Sequence, residues 1–147
     1  MYKKTIKYVD YNGTERTEDF YFNLSKAELM EMETSVVGGF RNTAEKYVAE
    51  QDTPKLYKIF KEFVLNAYGE KSADGKRFMK TDDNGRPLSK AFSETEAYSV
   101  MMTEFSDNPK LLAEFMDQVI PNDVSNNDEV RKALNSIGSP AGQSSVN

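Results

Sequence analysis

The chain has 147 residues with a formal net charge of -5, and it contains neither cysteine nor histidine. That length suits a single domain, and the absence of cysteine excludes disulfides, thiolate nucleophiles and zinc ribbons. The lack of histidine removes the commonest general base and metal ligand. The negative net charge opposes binding to a phosphate backbone, and no apolar run is long enough to span a bilayer. We therefore expect no enzyme, no cofactor or metal, and no nucleic-acid or membrane partner.

The N-terminal stretch predicts a β-hairpin. Residues 5–10 and 17–22 are rich in β-branched and aromatic side chains, and they flank Asn12-Gly13, a pair that accepts the positive φ angles of a tight turn. Alternation along the strands places one set of apolar side chains on a single face: Ile6, Tyr8, Phe20 and Phe22. Because a two-stranded hairpin is only marginally stable alone, we expect this face to pack on helices.

Three helices are predicted next. The sequence SKAE at residues 25–28 is a capping box that starts the first helix at Lys26, and this helix ends before a pair of glycines. The second helix covers residues 40–50. The third helix, with Thr53 as its N-cap and Gly69 at its end, has the broadest apolar stripe.

Residues 70–88 change to a polar, turn-rich composition, which predicts a loop with a short extended piece at residues 77–79. The sequence TDDNGRP within this loop lacks the ligand spacing of a calcium site and predicts an ordinary turn. A second capping box at residues 93–96 and the pair Asn108-Pro109 each begin a further helix, and Pro121 ends the last one.

The last stretch, residues 122–147, is rich in Asn, Ser, Gly and Pro, a composition that cannot bury enough apolar surface to order itself. We predict a mostly disordered tail that holds one short amphipathic helix near residues 128–137. The apolar positions of that helix repeat at helical spacing: Val130, Ala133, Leu134 and Ile137. This helix is expected to dock on its own domain, on a neighbouring subunit or in the groove of a partner.

Together these elements predict an α+β protein, mainly α-helical, in which an N-terminal β-hairpin packs on a bundle of about five helices. We expect a compact domain over residues 1–121, followed by a flexible C-terminal tail over residues 122–147.

Catalytic motifs are missing from this sequence. It has no glycine-rich phosphate loop, no nucleophile elbow and no acidic ladder for metals. Neighbouring carboxylates such as Asp82 and Asp83 fit caps and solubility better than acid–base chemistry. Seven methionines, most of them in or beside predicted helices, favour adaptable protein contacts. The residues therefore favour an interaction protein over an enzyme.

Two surfaces are candidates for binding a partner. One is an apolar helical face, and the other is the tail helix; their residues are Phe60, Phe63, Met101, Met102 and Phe105 for the face, and Val130, Leu134 and Ile137 for the tail. Stripes at helical spacing usually face inward, so the same five residues of the face are alternatively expected to be core.

A resemblance to a known family is carried by four segments within residues 1–121. The order is YVDYNGTERTEDFYFNLSKAELMEME, then IFKEFVLNAYGEKSADGKRFMK, then LSKAFSETEAYSVMMTEF and a closing VIP. This order resembles small tail assembly chaperones of long-tailed phages and prophages of Gram-positive bacteria. The resemblance implies a protein of the host cytoplasm that binds the tape measure protein, helps the major tail protein polymerise around it, and is absent from the finished virion. Self-association into an open array would suit that role.

Two other hypotheses stay open. In the first, the chain is a structural virion protein, such as a connector, tail completion or decoration subunit, whose hairpin and tail are arms between subunits. In the second, it is an enzyme or a host-directed inhibitor with carboxylate chemistry, which a strongly perturbed carboxylate in a deep cleft would support.

Overall fold

The computed structural model describes residues 1–121, except the side chain of Arg41, and it has a four-stranded antiparallel sheet packed against helices. The strands, in spatial order, are β1 (Tyr2–Val9), β2 (Glu15–Phe22), β3 (Tyr68–Lys71) and β4 (Phe78–Met79). The helices are α1 (Lys26–Thr34), α2 (Phe40–Ala49), α3 (Thr53–Ala67), α4 (Leu88–Ser93), α5 (Glu96–Asp107) and α6 (Pro109–Val119). The predicted α+β, mainly helical fold class is confirmed.

The predicted hairpin is confirmed, and a side chain fixes its turn. Strands β1 and β2 pair along their whole length, from Tyr2 opposite Phe22 to Val9 opposite Glu15. In the turn, the Asp10 carboxylate accepts hydrogen bonds from the backbone N–H groups of residues 12 and 14, both at 2.9 Å. Residue 13 has a φ of 82°, which glycine adopts without steric cost.

The same turn recurs in the sequence TDDNGRP. The Asp82 carboxylate accepts hydrogen bonds from the N–H groups of Asn84 at 2.8 Å and Arg86 at 2.9 Å, and Gly85 has a φ of 79°. The carboxylate is thus occupied by backbone donors of its own turn. The prediction of an ordinary turn is confirmed.

The prediction of a loop over residues 70–88 is wrong at both ends. At its start the chain forms β3, which pairs with β2 through Tyr68 opposite Phe22, and at its end α4 begins at residue 88. The short extended piece is confirmed as β4, which pairs with β3.

Gly69 ends no helix but lies within β3, where a Cβ atom would come within 2.6 Å of the Phe78 ring and 2.7 Å of the Met79 carbonyl oxygen. The glycine therefore permits the close approach of β3 and β4.

The predicted capping box of α1 is confirmed. The Ser25 hydroxyl accepts a hydrogen bond from the Glu28 N–H at 3.1 Å, and the Glu28 carboxylate accepts one from the Ser25 N–H at 2.9 Å. The two exchanged bonds satisfy donors that the first turn of a helix would otherwise leave unpaired.

Two other predicted caps are wrong by one or two residues. Helix α3 is capped by Asp52 rather than Thr53, because the Asp52 carboxylate accepts from the Lys55 N–H. Helix α5 is capped by Thr95 rather than Ser93. The reason is the unpredicted helix α4, whose last residue is Ser93 and whose presence moves the start of α5 to residue 96.

Aromatic rings join the sheet to the helices. The Phe22 ring of β2 is fully buried and contacts Tyr68 of β3, Phe92 of α4 and Phe115 of α6, with ring centroids 5.5–5.8 Å apart. Tyr68 and Phe92 also stack in parallel at 4.3 Å. These contacts place Phe22 at the centre of the core. Aromatic pairs of this kind stabilise the fold beyond the effect of their buried area.

The end of the described chain lies beside the start of α1. The backbone N–H of Leu24 donates a hydrogen bond to the Val119 carbonyl at 3.3 Å, and the Met1 ammonium group donates to the Gln118 carbonyl at 3.0 Å. The predicted tail over residues 122–147, with its helix near residues 128–137, lies outside the described residues.

Candidate partner-binding surface

The five residues of the predicted apolar face lie in the core. All five side chains are at most 8% exposed: Phe60, Phe63, Met101, Met102 and Phe105. The structure thus brings them together inside the protein, which matches the alternative expectation that they are core. A partner would reach them only if α3 and α5 separated, and partner binding by these residues stays a prediction. The other three candidates, Val130, Leu134 and Ile137, lie outside the described residues.

The structure instead exposes apolar side chains on α1 and on the connection to α2. Met30 is 69% exposed, Val37 is fully exposed, and Val36 is 37% exposed. We call these three residues the α1 patch. The sequence reasoning missed the patch, although two valines directly before two glycines are a signal of an apolar turn on the surface.

The turn after α1 holds the two valines outward. Gly38 and Gly39 both have positive φ angles, 86° and 92°, and the Gly39 N–H donates a hydrogen bond to the Val36 carbonyl at 2.9 Å. Helix α1 itself has no buried residue, and only Leu29 and Met32 pack partly against the core. The α1 patch therefore lies on the most weakly packed helix of the described chain and on the turn that follows it.

Beside the patch, α1 forms one wall of a groove of about 370 Å³. The opposite walls are the C-terminal end of α3 and the segment that leads from β4 into α4. We call this cavity the α1 groove, and its lining residues are Leu24, Glu28, Glu31, Met32, Ser35, Leu65, Asn66, Tyr68, Lys80, Thr81, Pro87 and Ser89. Apolar side chains and a few charged groups share its surface, as in sites that bind a partner side chain.

Lys80 joins the walls of the groove. Its ammonium group donates to the carbonyl oxygens of Asn23 at 2.8 Å and Asn66 at 2.5 Å, and it lies 3.1 Å from the Glu28 carboxylate. Burial lowers the pKa of the Lys80 ammonium group, and the neighbouring Glu28 carboxylate opposes that shift. Lys80 is therefore engaged in holding α1 and α3 together.

Two carboxyl groups of the described residues have a lowered pKa. The Arg16 guanidinium holds the pKa of the Asp10 carboxyl below its usual range, and the Ser72 hydroxyl does the same for Asp74. Both carboxylates accept hydrogen bonds within turns. Over residues 1–121 no cluster of three or more carboxylates is arranged to hold a metal ion, and none of the helices there has the length and apolarity to cross a membrane.

Comparison with known proteins identifies a family. A family model described as phage tail assembly chaperone matches residues 1–145. No curated protein and no solved structure matches the chain. The match extends beyond residue 121, the last residue of the four segments that carry the resemblance, so the family pattern also includes most of the C-terminal stretch. Because this match covers nearly the whole sequence, the chain belongs to the family of phage tail assembly chaperones.

Proposed function

We propose that this chain binds the tape measure protein in the host cytoplasm and promotes polymerisation of the major tail protein around it, without remaining in the virion. Family membership supports a role in tail assembly. The observation that carries the proposal further is the α1 patch. Met30 is an exposed apolar side chain on the weakly packed helix α1, and Val36 and Val37 are exposed apolar side chains in the turn that follows it.

An exposed apolar patch of this kind suits an amphipathic helix as its partner. A long helical client presents apolar stripes that would associate wrongly if they stayed uncovered. The α1 patch is small, so each contact is weak and is readily replaced when tail subunits arrive. Many copies along one client would together supply the affinity that a single contact lacks.

The test is co-expression with the cognate tape measure protein, followed by pull-down and a solubility assay. Val37→Asp is expected to weaken the complex about tenfold, because burying one valine contributes about 1.5 kcal/mol and a charge would oppose that burial. Val9→Asp is the matched control, since Val9 is a half-exposed valine at the end of β1.

Two results would contradict the proposal. If Val37→Asp and Val9→Asp bind the client equally, the α1 patch is not the binding surface. If the client stays insoluble and unbound while this chain is found in purified particles, the chain is a structural virion protein.

A further inference from the structure

The α1 groove lies next to the point where the described chain ends. We propose that residues 128–137 of this same chain dock in the α1 groove, with the stripe of Val130, Leu134 and Ile137 against its apolar side chains and Arg131 beside Glu31. Docking as such is independent of the proposed function, because it concerns only one molecule of this chain.

The path of the chain favours this occupant. Leu24 lines the groove, and its backbone N–H bonds the carbonyl of Val119, so the described chain ends beside the groove. Nine residue steps separate Pro121 from Val130, and an extended chain covers roughly 3.3 Å per residue, or about 30 Å in all. The segment therefore reaches the groove without strain, and its attachment keeps its effective concentration high.

The groove has the size and chemistry for a short amphipathic helix. Its volume of about 370 Å³ accommodates a few side chains rather than a whole helix. A helix laid across it would insert the side chains of one stripe, in the way that helices occupy apolar grooves. Met32, Leu65 and Pro87 supply apolar contacts for such a stripe.

Charge specifies the orientation of the segment. Among the described residues, the Glu31 carboxylate has no salt-bridge partner, whereas Glu28 is paired with Lys80. At 100° per residue, Arg131 would flank the stripe of residues 130, 134 and 137, and Lys132 would lie on the opposite side of the helix. Arg131 is therefore the cation that docking brings to Glu31, and Lys132 remains in solvent.

The experiment uses the full chain, which has no native cysteine, so one introduced pair reports on one contact. The test pair is Ser89→Cys in the groove with Ala133→Cys in the segment. The control pair combines Ala133→Cys with Ser106→Cys, an exposed serine of α5 outside the groove. We expect the test pair to form a disulfide within the monomer about tenfold faster than the control pair, because docking raises the effective concentration of one sulfur atom beside the other.

Two further variants and one control variant separate docking from tethering alone. Leu134→Asp and Arg131→Glu are each expected to slow formation of the test disulfide, whereas Lys132→Glu, with the same charge change as Arg131→Glu, leaves its rate unchanged. Equal rates for the test and control pairs would overturn the proposal. Disulfides that form mainly between two molecules would also overturn it, because the occupant would then be a second copy. The disulfide rates are measured without a client. They therefore test docking whether or not Val37→Asp weakens the binding of the client.

Discussion

Lys80 offers the sharpest test of how the groove is held together. Replacing Lys80 by methionine keeps an apolar side chain of similar length but removes the ammonium group that bonds the Asn23 and Asn66 carbonyls. Hydrogen bonds from charged donors contribute about 1.5–3 kcal/mol each. The Lys80 side chain is 24% exposed and burial already opposes its charge, so we expect a net loss of about 2–3 kcal/mol for the two bonds together.

The assay is chemical and thermal unfolding of the full chain. At this size a loss of 2–3 kcal/mol corresponds to a fall in Tm of about 6–12 °C. The control is Lys90→Met, because Lys90 of α4 forms an exposed pair with Glu94, the residue after that helix, and this pair is expected to contribute at most about 0.5 kcal/mol. A Lys80→Met variant as stable as Lys90→Met would show that the two hydrogen bonds from Lys80 do not hold α1 and α3 together.

Glu28→Gln divides the effect of Lys80 into its parts. The glutamine keeps an oxygen for the Ser25 N–H and removes only the ion pair with Lys80, so the expected loss is below about 1 kcal/mol. Combined with Lys80→Met it forms a double-mutant cycle. A coupling energy close to the whole loss from Lys80→Met would assign the effect to the ion pair and contradict the assignment to the two carbonyls.

Three further predictions concern Gly69 of β3 and two tyrosines, Tyr68 of β3 and Tyr98 of α5. Gly69→Ala should lower the free energy of unfolding by about 2–4 kcal/mol, because the added Cβ clashes with the Phe78 ring and the Met79 carbonyl oxygen. A loss below about 1 kcal/mol in urea unfolding would argue against the close approach of β3 and β4. Tyr98→Phe should stabilise the fold by about 1 kcal/mol, since among the described residues its buried hydroxyl has no hydrogen-bond partner. The control is Tyr68→Phe, which removes a hydroxyl that donates a hydrogen bond to a carboxylate and should not raise the melting temperature. Burial raises the pKa of both tyrosines from 10.0 to about 12. The stability that their protonated hydroxyls contribute should therefore be fully present below pH 10 and be lost as the pH rises through about 12, and either Phe variant should reduce the slope of that fall in an alkaline titration.

The sequence predicted elements whose signals are local. The alternation of β1 and β2, the capping box at Ser25 and the broad stripe of α3 each depend on residues close in the chain, and each is confirmed. Strand β3 was missed because its four residues, YGEK, have no alternating pattern. It is a strand because Tyr68 pairs with Phe22, which lies far away in the sequence.

The candidate site was harder to predict, because it depends on contacts that are absent from local sequence. Phe60 and Met101 fit an apolar face, but only the packing of α3 and α5 shows that the face is internal. Conversely, Met30 is exposed because α1 has little to pack against, and no pattern within α1 reveals that. Lys80 is a single lysine in a polar stretch until the fold brings the carbonyls of two distant residues to it.

The position of α6 against the hairpin has a consequence for synthesis of the protein. Strand pairing in the hairpin needs only the first 22 residues, but the rings of Tyr2 and Phe22 are covered by Phe115, at centroid distances of 5.1 and 5.5 Å. Translation adds roughly 5–20 residues per second, so about 5–20 s pass between completion of β2 and arrival of that ring. During this interval the nascent chain carries an uncovered aromatic sheet face, and the core closes only when nearly the whole described chain has left the ribosome.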